Sequence, residues 1–270
     1  MNDPTALPNT CPLGDEPLVA AADHLRSLHV AGDPLVLVNV WDVASAVEVH
    51  AAGAAAIGTS SAAIAAVFGE PDTNSMPICL AFGAIKRIAG SVPVPVTADV
   101  EGGYGLDGSE LVGALLAAGA VGCNLEDSDH DRPGTLLDVD VAAGRLAAVR
   151  RAADEYGVPI VINARIDAYL HAGAARDAAT AEIIRRGHAY LEAGADCLYP
   201  IGLTDPVRAG QLVEALGAPI NGNVAGTGTI ADMTAAGVSR VSFGPRFQRQ
   251  ALADLRERAG RILSRPGVPR

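Results

Sequence analysis

No apolar run in this chain reaches the length of a bilayer span without a charge, glycine or proline interrupting it, so no transmembrane helix is expected. Cysteine is scarce. Cys11, Cys79, Cys123 and Cys197 lie far apart, with no CxxC and no Cys/His cluster of zinc spacing, which argues against a zinc module and reads as reduced thiols in a cytoplasmic protein. Basic charge is short as well: 20 Lys and Arg stand against 31 Asp and Glu, a formal charge of -11 that would repel a phosphate backbone, so nucleic acid is not an expected partner. The opening MNDPTALPNTCPLGDEP has neither a basic start nor an apolar core, and neither a signal peptide nor a membrane anchor is expected there. A small anionic substrate stays compatible with the acidic balance, because a bound divalent cation reverses the sign of a site locally.

What the 270 residues do contain is apolar material, 49% of the chain, enough for a large single core. Eight short runs read as strands: LVLVN (35–39), AAIGTS (55–60), VPVTAD (94–99), GCNLED (122–127), PIVINAR (159–165), CLYPIG (197–202), PINGN (219–223) and RVSFGP (240–245). Between them lie Ala-rich stretches of helical spacing, such as LVGALLAAG and PVRAGQLVEALG, most of them closed by glycine. Strand and helix repeated in this way predict parallel strands with right-handed crossovers, an α/β fold closing into a single (β/α)8 TIM barrel. No GxGxxG follows the first strand, which disfavours an open doubly wound sheet. The expected organisation is a polar N-terminal arm (1–16), the barrel (17–246), and a C-terminal helix and tail (247–270).

In such barrels the site is built where strands end, and here almost every strand ends in polar groups, among them Asn39, Asn124, Asp127, Asn163, Asp167, Asn221 and Asn223. In VTADVEGGYG, Asp99 and Glu101 share one face if the run stays extended, and Glu126 closes the next strand. Three acids at one rim repel one another unless a cation lies between them, and hard oxygen donors without His or Cys suit Mg2+ or Mn2+. Gly102, Gly103 and Gly105 would let the loop fold tightly there, with Tyr104 at the rim to contact substrate or to pack on the loop. The competing expectation is that these acids cap the helices that follow.

Five segments in order, NVWDVASAVEVHAAGAAAIGTSSAAIAAVFGEPD, DVEGGYG, NLEDS, NARIDAY and AGAD, resemble the isocitrate lyase and phosphoenolpyruvate mutase superfamily over residues 17–245. The resemblance implies a Mg2+-dependent barrel enzyme acting on small 2-oxo or 2-hydroxy carboxylates, with a pyruvate-like enolate stabilised by the metal. It implies metal-associated roles for Asp99, Glu101 and Glu126, and substrate-carboxylate binding at Ser60 and Ser61. It also places Asp72 beside the metal and substrate, and makes Arg165 the partner of a carboxylate or oxyanion. Members of the superfamily form homo-oligomers through their C-terminal helices, so a dimer or tetramer is expected, although the tail here is short.

The departures from the family pattern bear on the reaction. The KxCGH loop of the isocitrate-type lyases is replaced by DSDHDRPGTLLDVD, without a cysteine, and the clamps for a large tricarboxylate are replaced by Ile201, Ala225 and Gly226. The short loop offers His130, which titrates near neutral pH, and Arg132, which can close over an anion. Three readings follow: a lyase or decarboxylase acting on a small 2-oxo or 2-hydroxy diacid; a phosphonomutase or hydrolase acting on phosphoenolpyruvate or phosphonopyruvate; and a barrel that binds metal and carboxylate without chemistry.

Overall fold

The computed structural model describes residues 15–173, 175–224 and 228–264, so residues 1–14 of the expected N-terminal arm, Cys11 among them, Ala225, Gly226 and the last six residues lie outside the described residues, and the last two arm positions, 15 and 16, belong to a helix. The order is α1 (Asp15–Ser27), β1 (Leu35–Leu37), α2 (Val43–Ala51), β2 (Ile57–Gly58), α3 (Ser61–Phe68), α4 (Ile78–Ala89), β3 (Val96–Asp99), α5 (Gly108–Ala117) and β4 (Gly122–Glu126). It continues α6 (Val139–Glu155), β5 (Val161–Ile166), α7 (Ala168–His171), α8 (Arg176–Glu192), β6 (Cys197–Pro200), α9 (Pro206–Leu216), β7 (Asn221–Asn223), α10 (Ile230–Ala235), β8 (Arg240–Ser242) and α11 (Arg246–Leu263). Each of the eight expected strands is present, trimmed at its ends. All pair in parallel, five in the order β2-β3-β4-β5-β6 and three in the order β1-β8-β7. Isolated parallel bridges at Val40–Thr59 and Leu198–Ile220 set the edges of the two sheets beside each other. The fold is α/β, with a curled parallel sheet and helices around it.

Helix α1 falls outside the expected alternation. Leu18, Ala22 and Leu25 recur on one face and are buried. Leu25 packs on Gly122 at the start of β4, where an added Cβ would lie 2.8 Å from Leu25 Cδ2. The helix therefore covers the end of the sheet opposite the acids. Among the described residues no helix is long and apolar enough to cross a membrane.

The sheet interior is more polar than the branched apolar layers usual in barrels. Asn163 donates to Asn124 (2.8 Å) and Asn221 (3.1 Å), and Arg240, fully buried, donates to the same Asn124 oxygen at 3.0 Å. Cys123 and Cys197 are buried, and burial pushes both thiols up to about 12.

Candidate active site

Helix caps are supplied by residues other than the three acids. Asp107 forms a capping box with Glu110 at α5, Asp138 accepts from Asp140 N–H at α6, and Ser60 caps α3. None of Asp99, Glu101 and Glu126 caps the helix that follows it, although Asp99 accepts from the first amide of the earlier helix α3.

The acids converge by a different route from the one expected. Strand β3 stops at Asp99, and Glu101 adopts a left-handed backbone (φ 49°), so the two carboxylates do not share a face through strand periodicity. The turn is held by Gly103 and Gly105, both at positive φ, and by the Glu126 amide donating to the Glu101 carbonyl at 3.0 Å. Gly102 sits in a crowded position instead: a Cβ there would lie 3.1 Å from both Asn74 Nδ2 and His130 Cδ2, so a side chain would press on both.

Asp99 Oδ2 accepts from the Ser61 hydroxyl (2.9 Å) and amide (3.2 Å) at the start of α3, and the Asp99 amide donates to Thr59 Oγ1. Glu101 Oε2 accepts from the Asn74 amide. Glu126 Oε1 lies 2.8 Å from His130 Nε2, and Glu126 Oε2 lies 2.5 Å from Arg165 Nη1, neither pair aligned as a hydrogen bond. One buried oxygen from each acid, Asp99 Oδ1, Glu101 Oε1 and Glu126 Oε2, has no hydrogen-bond partner among the described residues.

Arg165 is the central cation. It grips Asp167 with two parallel hydrogen bonds (2.7 and 3.0 Å), which leaves Nη1 facing Glu126, with Asp99 Oδ1 at 4.0 Å. Burial opposes its charge, but Asp167, Glu126 and Asp99 together hold its pKa well above the ordinary value. Asp167 is itself fixed by Ser128 Oγ (2.6 Å) and by its own amide donating to Asp127. Asp127 in turn accepts from Tyr190 (2.7 Å) and Arg186 (3.1 Å) of α8. Nothing in the strand-end motifs announces Arg186 and Tyr190; the only sequence signal is an arginine and a tyrosine four apart on one helix face.

Mutual repulsion and burial are written into the titrations. Burial, then Asp72, Glu126 and Asp99, push Glu101 up to about 7 against a stabilising bond from Asn74. Glu126 is raised by burial, against Arg165 and His130. Asp72 stays open to solvent at the mouth, yet is raised by partial desolvation and by Asp99. The Glu126 contact raises His130, outweighing its desolvation.

The remaining expected residues divide. Tyr104 is nearly buried, edge-on to Phe82, and its hydroxyl is held up by burial and by Glu101. Ser60 spends its amide on Val40 and its hydroxyl on Ala63. Asn223 bonds Gly202, Tyr199 and Ser242, tying the ends of β6, β7 and β8 together. Arg132 is turned to solvent and held by Asp129 at 2.7 Å, with no bond to the acids among the described residues. Its loop is short and self-bonded, Asp129 N–H to the Thr135 carbonyl and Thr135 N–H to the Arg132 carbonyl.

Hard oxygen donors, with Asp99 Oδ1 and Glu101 Oε1 buried and free of hydrogen bonds among the described residues and Glu126 Oε2 paired only with Arg165, fit a Mg2+ or Mn2+ site. Among the described residues no three His, Cys, Asp or Glu side chains are gathered closely enough to ligate one ion directly. That spacing suits an ion held by one or two carboxylates and partly through water.

The family model described as phosphoenolpyruvate phosphomutase matches residues 25–263. The 2-methylisocitrate lyase of Escherichia coli (strain K12) is 30% identical, with 71% of this chain and 66% of that protein covered. A solved structure of a candidate phosphonomutase from Burkholderia cenocepacia J2315 shares 41% identity at a TM-score of 0.84, covering 89% of this chain and 99% of the other. A solved 2,3-dimethylmalate lyase shares 28% identity at a TM-score of 0.81, covering 92% and 89%. With the motifs in family order and the model match spanning nearly the whole chain, this protein belongs to the isocitrate lyase/phosphoenolpyruvate mutase superfamily.

Proposed function

We propose that this protein is a divalent-metal-dependent lyase that breaks a carbon–carbon bond in a small 2-oxo or 2-hydroxy diacid, with decarboxylation of an oxaloacetate-type substrate as its simplest version. The observation that carries the reading is the convergence of Asp99 and Glu126 on Arg165 with Glu101 close enough to feel both acids, while Asp99 Oδ1 and Glu101 Oε1 are buried without a hydrogen bond. A Mg2+ or Mn2+ ion associated with these acids would supply electrophilic stabilisation of the negative charge that develops on the substrate's 2-oxygen as the adjacent bond breaks.

The chain's own groups do the rest. Ser61 fixes the orientation of Asp99. Arg165, pinned by Asp167, presents Nη1 as a fixed donor to a substrate carboxylate or oxyanion. His130, whose pKa the Glu126 contact raises, stands at the edge of the site within reach of Glu126 and can deliver a proton to the product carbanion. Asp72, Tyr104, Ser60 and Asn223 shape the mouth and rim, and Arg132 closes over an anion only by leaving Asp129. Relatives named for 2-methylisocitrate and 2,3-dimethylmalate cleavage support a lyase, and the short cysteine-free loop supports a substrate smaller than a tricarboxylate.

Phosphonate chemistry is the second reading, favoured by the match to the phosphoenolpyruvate phosphomutase family model and by the 41%-identical Burkholderia protein. Incubation with Mg2+ and a panel of oxaloacetate, 2-methylmalate-type and dimethylmalate-type diacids, phosphonopyruvate and phosphoenolpyruvate separates the two. Pyruvate without phosphate supports the lyase. Phosphate or a phosphonate product supports the second reading.

Three structural features accompany the proposal. The two sheets form one closed (β/α)8 barrel, a reading supported by the bridges between their edges. The protein is a homo-oligomer: Leu252, Leu255 and Ile262 make an exposed apolar stripe on α11, and Trp41, Val67, Phe68 and Leu80 line a cavity of about 410 Å³ that a second copy's stripe can fill. Its setting is the cytoplasm, which suits free Cys79, Cys123 and Cys197.

A further inference from the structure

Three non-glycine residues among those described have a left-handed backbone, Asn74 (φ 57°), Glu101 (φ 49°) and Tyr104 (φ 54°), and Asn74 is hydrogen-bonded to both of the others. The Asn74 amide donates to Glu101 Oε2, and Asn74 Oδ1 accepts from the Tyr104 amide at 2.8 Å. Its Nδ2 sits over Gly102, where a Cβ would approach to 3.1 Å. Left-handed backbone costs free energy in residues with a Cβ, least in Asn, and it persists where surrounding contacts over-determine it.

The two segments are far apart in sequence. Asn74 follows Asp72 in the connection between α3 and α4, whereas Glu101 and Tyr104 belong to the turn after β3. On its other side that turn is held by Arg145 of α6, which donates to the Gly102 carbonyl. Each chain segment is locally unfavourable alone, and the hydrogen bonds between them hold both.

We propose that Asn74 is a positioning residue: it clamps the turn that carries Glu101 and Tyr104, and so fixes the acid-bearing rim relative to the loop of Asp72. This rests on the reading of Asp99, Glu101 and Glu126 as metal-associated acids. Asn74 touches no reacting atom in this account; its work is to aim Glu101 through the amide bond and to hold the Tyr104 amide through its side chain.

Two variants separate its parts. Asn74→Gly keeps the left-handed backbone and the amide donor and removes only the side-chain acceptor, whereas Asn74→Ala removes the acceptor and opposes the backbone conformation as well. Amide hydrogen exchange of segment 101–105 reads the clamp directly, since the Tyr104 amide is the donor to Asn74. Mn2+ binding, followed by the electron paramagnetic resonance signal of the free ion without substrate, reads the rim. Exchange in 101–105 is expected to rise about tenfold in both variants with the rest of the chain unchanged. Mn2+ affinity is expected to fall about threefold in Asn74→Gly and about tenfold in Asn74→Ala. Unchanged exchange in both variants would overturn the clamp. Raised exchange with wild-type Mn2+ affinity would overturn the link to the rim. If the wild-type protein itself binds no Mn2+, the metal reading fails, and the exchange data alone decide whether Asn74 holds the turn.

Discussion

Arg165 Nη1 lies 2.5 Å from Glu126 Oε2, while the rest of the same guanidinium is committed to Asp167. One planar fork thus serves two carboxylates with different tasks: Asp167 fixes it, and Glu126 shares its remaining edge with whatever binds. An ammonium group cannot reproduce that division. Arg165→Lys is therefore expected to lower kcat/KM by about 100-fold or more, roughly 3 kcal/mol of transition-state stabilisation, in steady-state assays of the proposed cleavage. Retention of activity within a few-fold would remove Arg165 from the chemistry.

Glu101 predicts an unusual pH dependence of stability in the metal-free protein. Its folded value of about 7 lies above the ordinary 4.5, so the folded state binds the extra proton between those values. Stability from this group is present below about pH 4.5 and is lost as pH rises through 7, by about 3 kcal/mol. Glu101→Gln should abolish that loss, so that at pH 8 without metal the variant melts higher than the wild type while binding Mn2+ poorly. Thermal denaturation at pH 5 and pH 8 checks it; equal pH dependence in the two proteins contradicts the assignment.

Behind the site, Asp127 is buried with Arg186 and Tyr190, and burial raises its carboxyl in spite of the bonds it accepts. Tyr190→Phe should cost about 1 to 2 kcal/mol in denaturant unfolding, because one acceptor position on Asp127 goes unfilled. Arg186→Met should cost more, about 3 to 5 kcal/mol, because it leaves a buried carboxylate without its cation. Equal costs would mean that the ion pair contributes nothing beyond a neutral bond.

The interface between α5 and α6 rests on a close approach. A Cβ at Gly108 would lie 2.6 Å from the Ala148 carbonyl carbon and 2.7 Å from its oxygen, both rigid helix backbone. Gly108→Ala is expected to lower unfolding free energy by about 1 to 3 kcal/mol through forced separation of the helices. A neutral or stabilising effect, as expected at a non-contacting helix N-terminus, would contradict that packing.

The eight strands were legible because short apolar runs and Ala-rich helical stretches alternate along most of the chain, and the acids were legible because they lie at or just beyond the ends of those runs. What could not be read was how the acids meet. A strand-periodicity argument puts Asp99 and Glu101 on one face, but the chain turns left-handed at Glu101, and the contacts that permit this come from Asn74 and Arg145 far along the sequence. Arg132 looked equivalent to His130 in the short loop, yet only His130 reaches Glu126, because Asp129 captures the guanidinium three residues on. The support of Arg165 by Asp127, Arg186 and Tyr190 had no motif at all: it depends on a helix packing across a strand end.

The central claim is that the Asp99, Glu101 and Glu126 rim performs metal-dependent cleavage of a small diacid. Its most direct test is pyruvate release from the diacid panel by wild-type protein with Mg2+, with Mg2+ removed by a chelator, and by Glu126→Gln with Mg2+. Pyruvate is expected in the first case alone, without phosphate. Pyruvate released equally with chelator or by Glu126→Gln, or turnover confined to phosphonopyruvate or phosphoenolpyruvate with phosphate released beside the pyruvate, would contradict it.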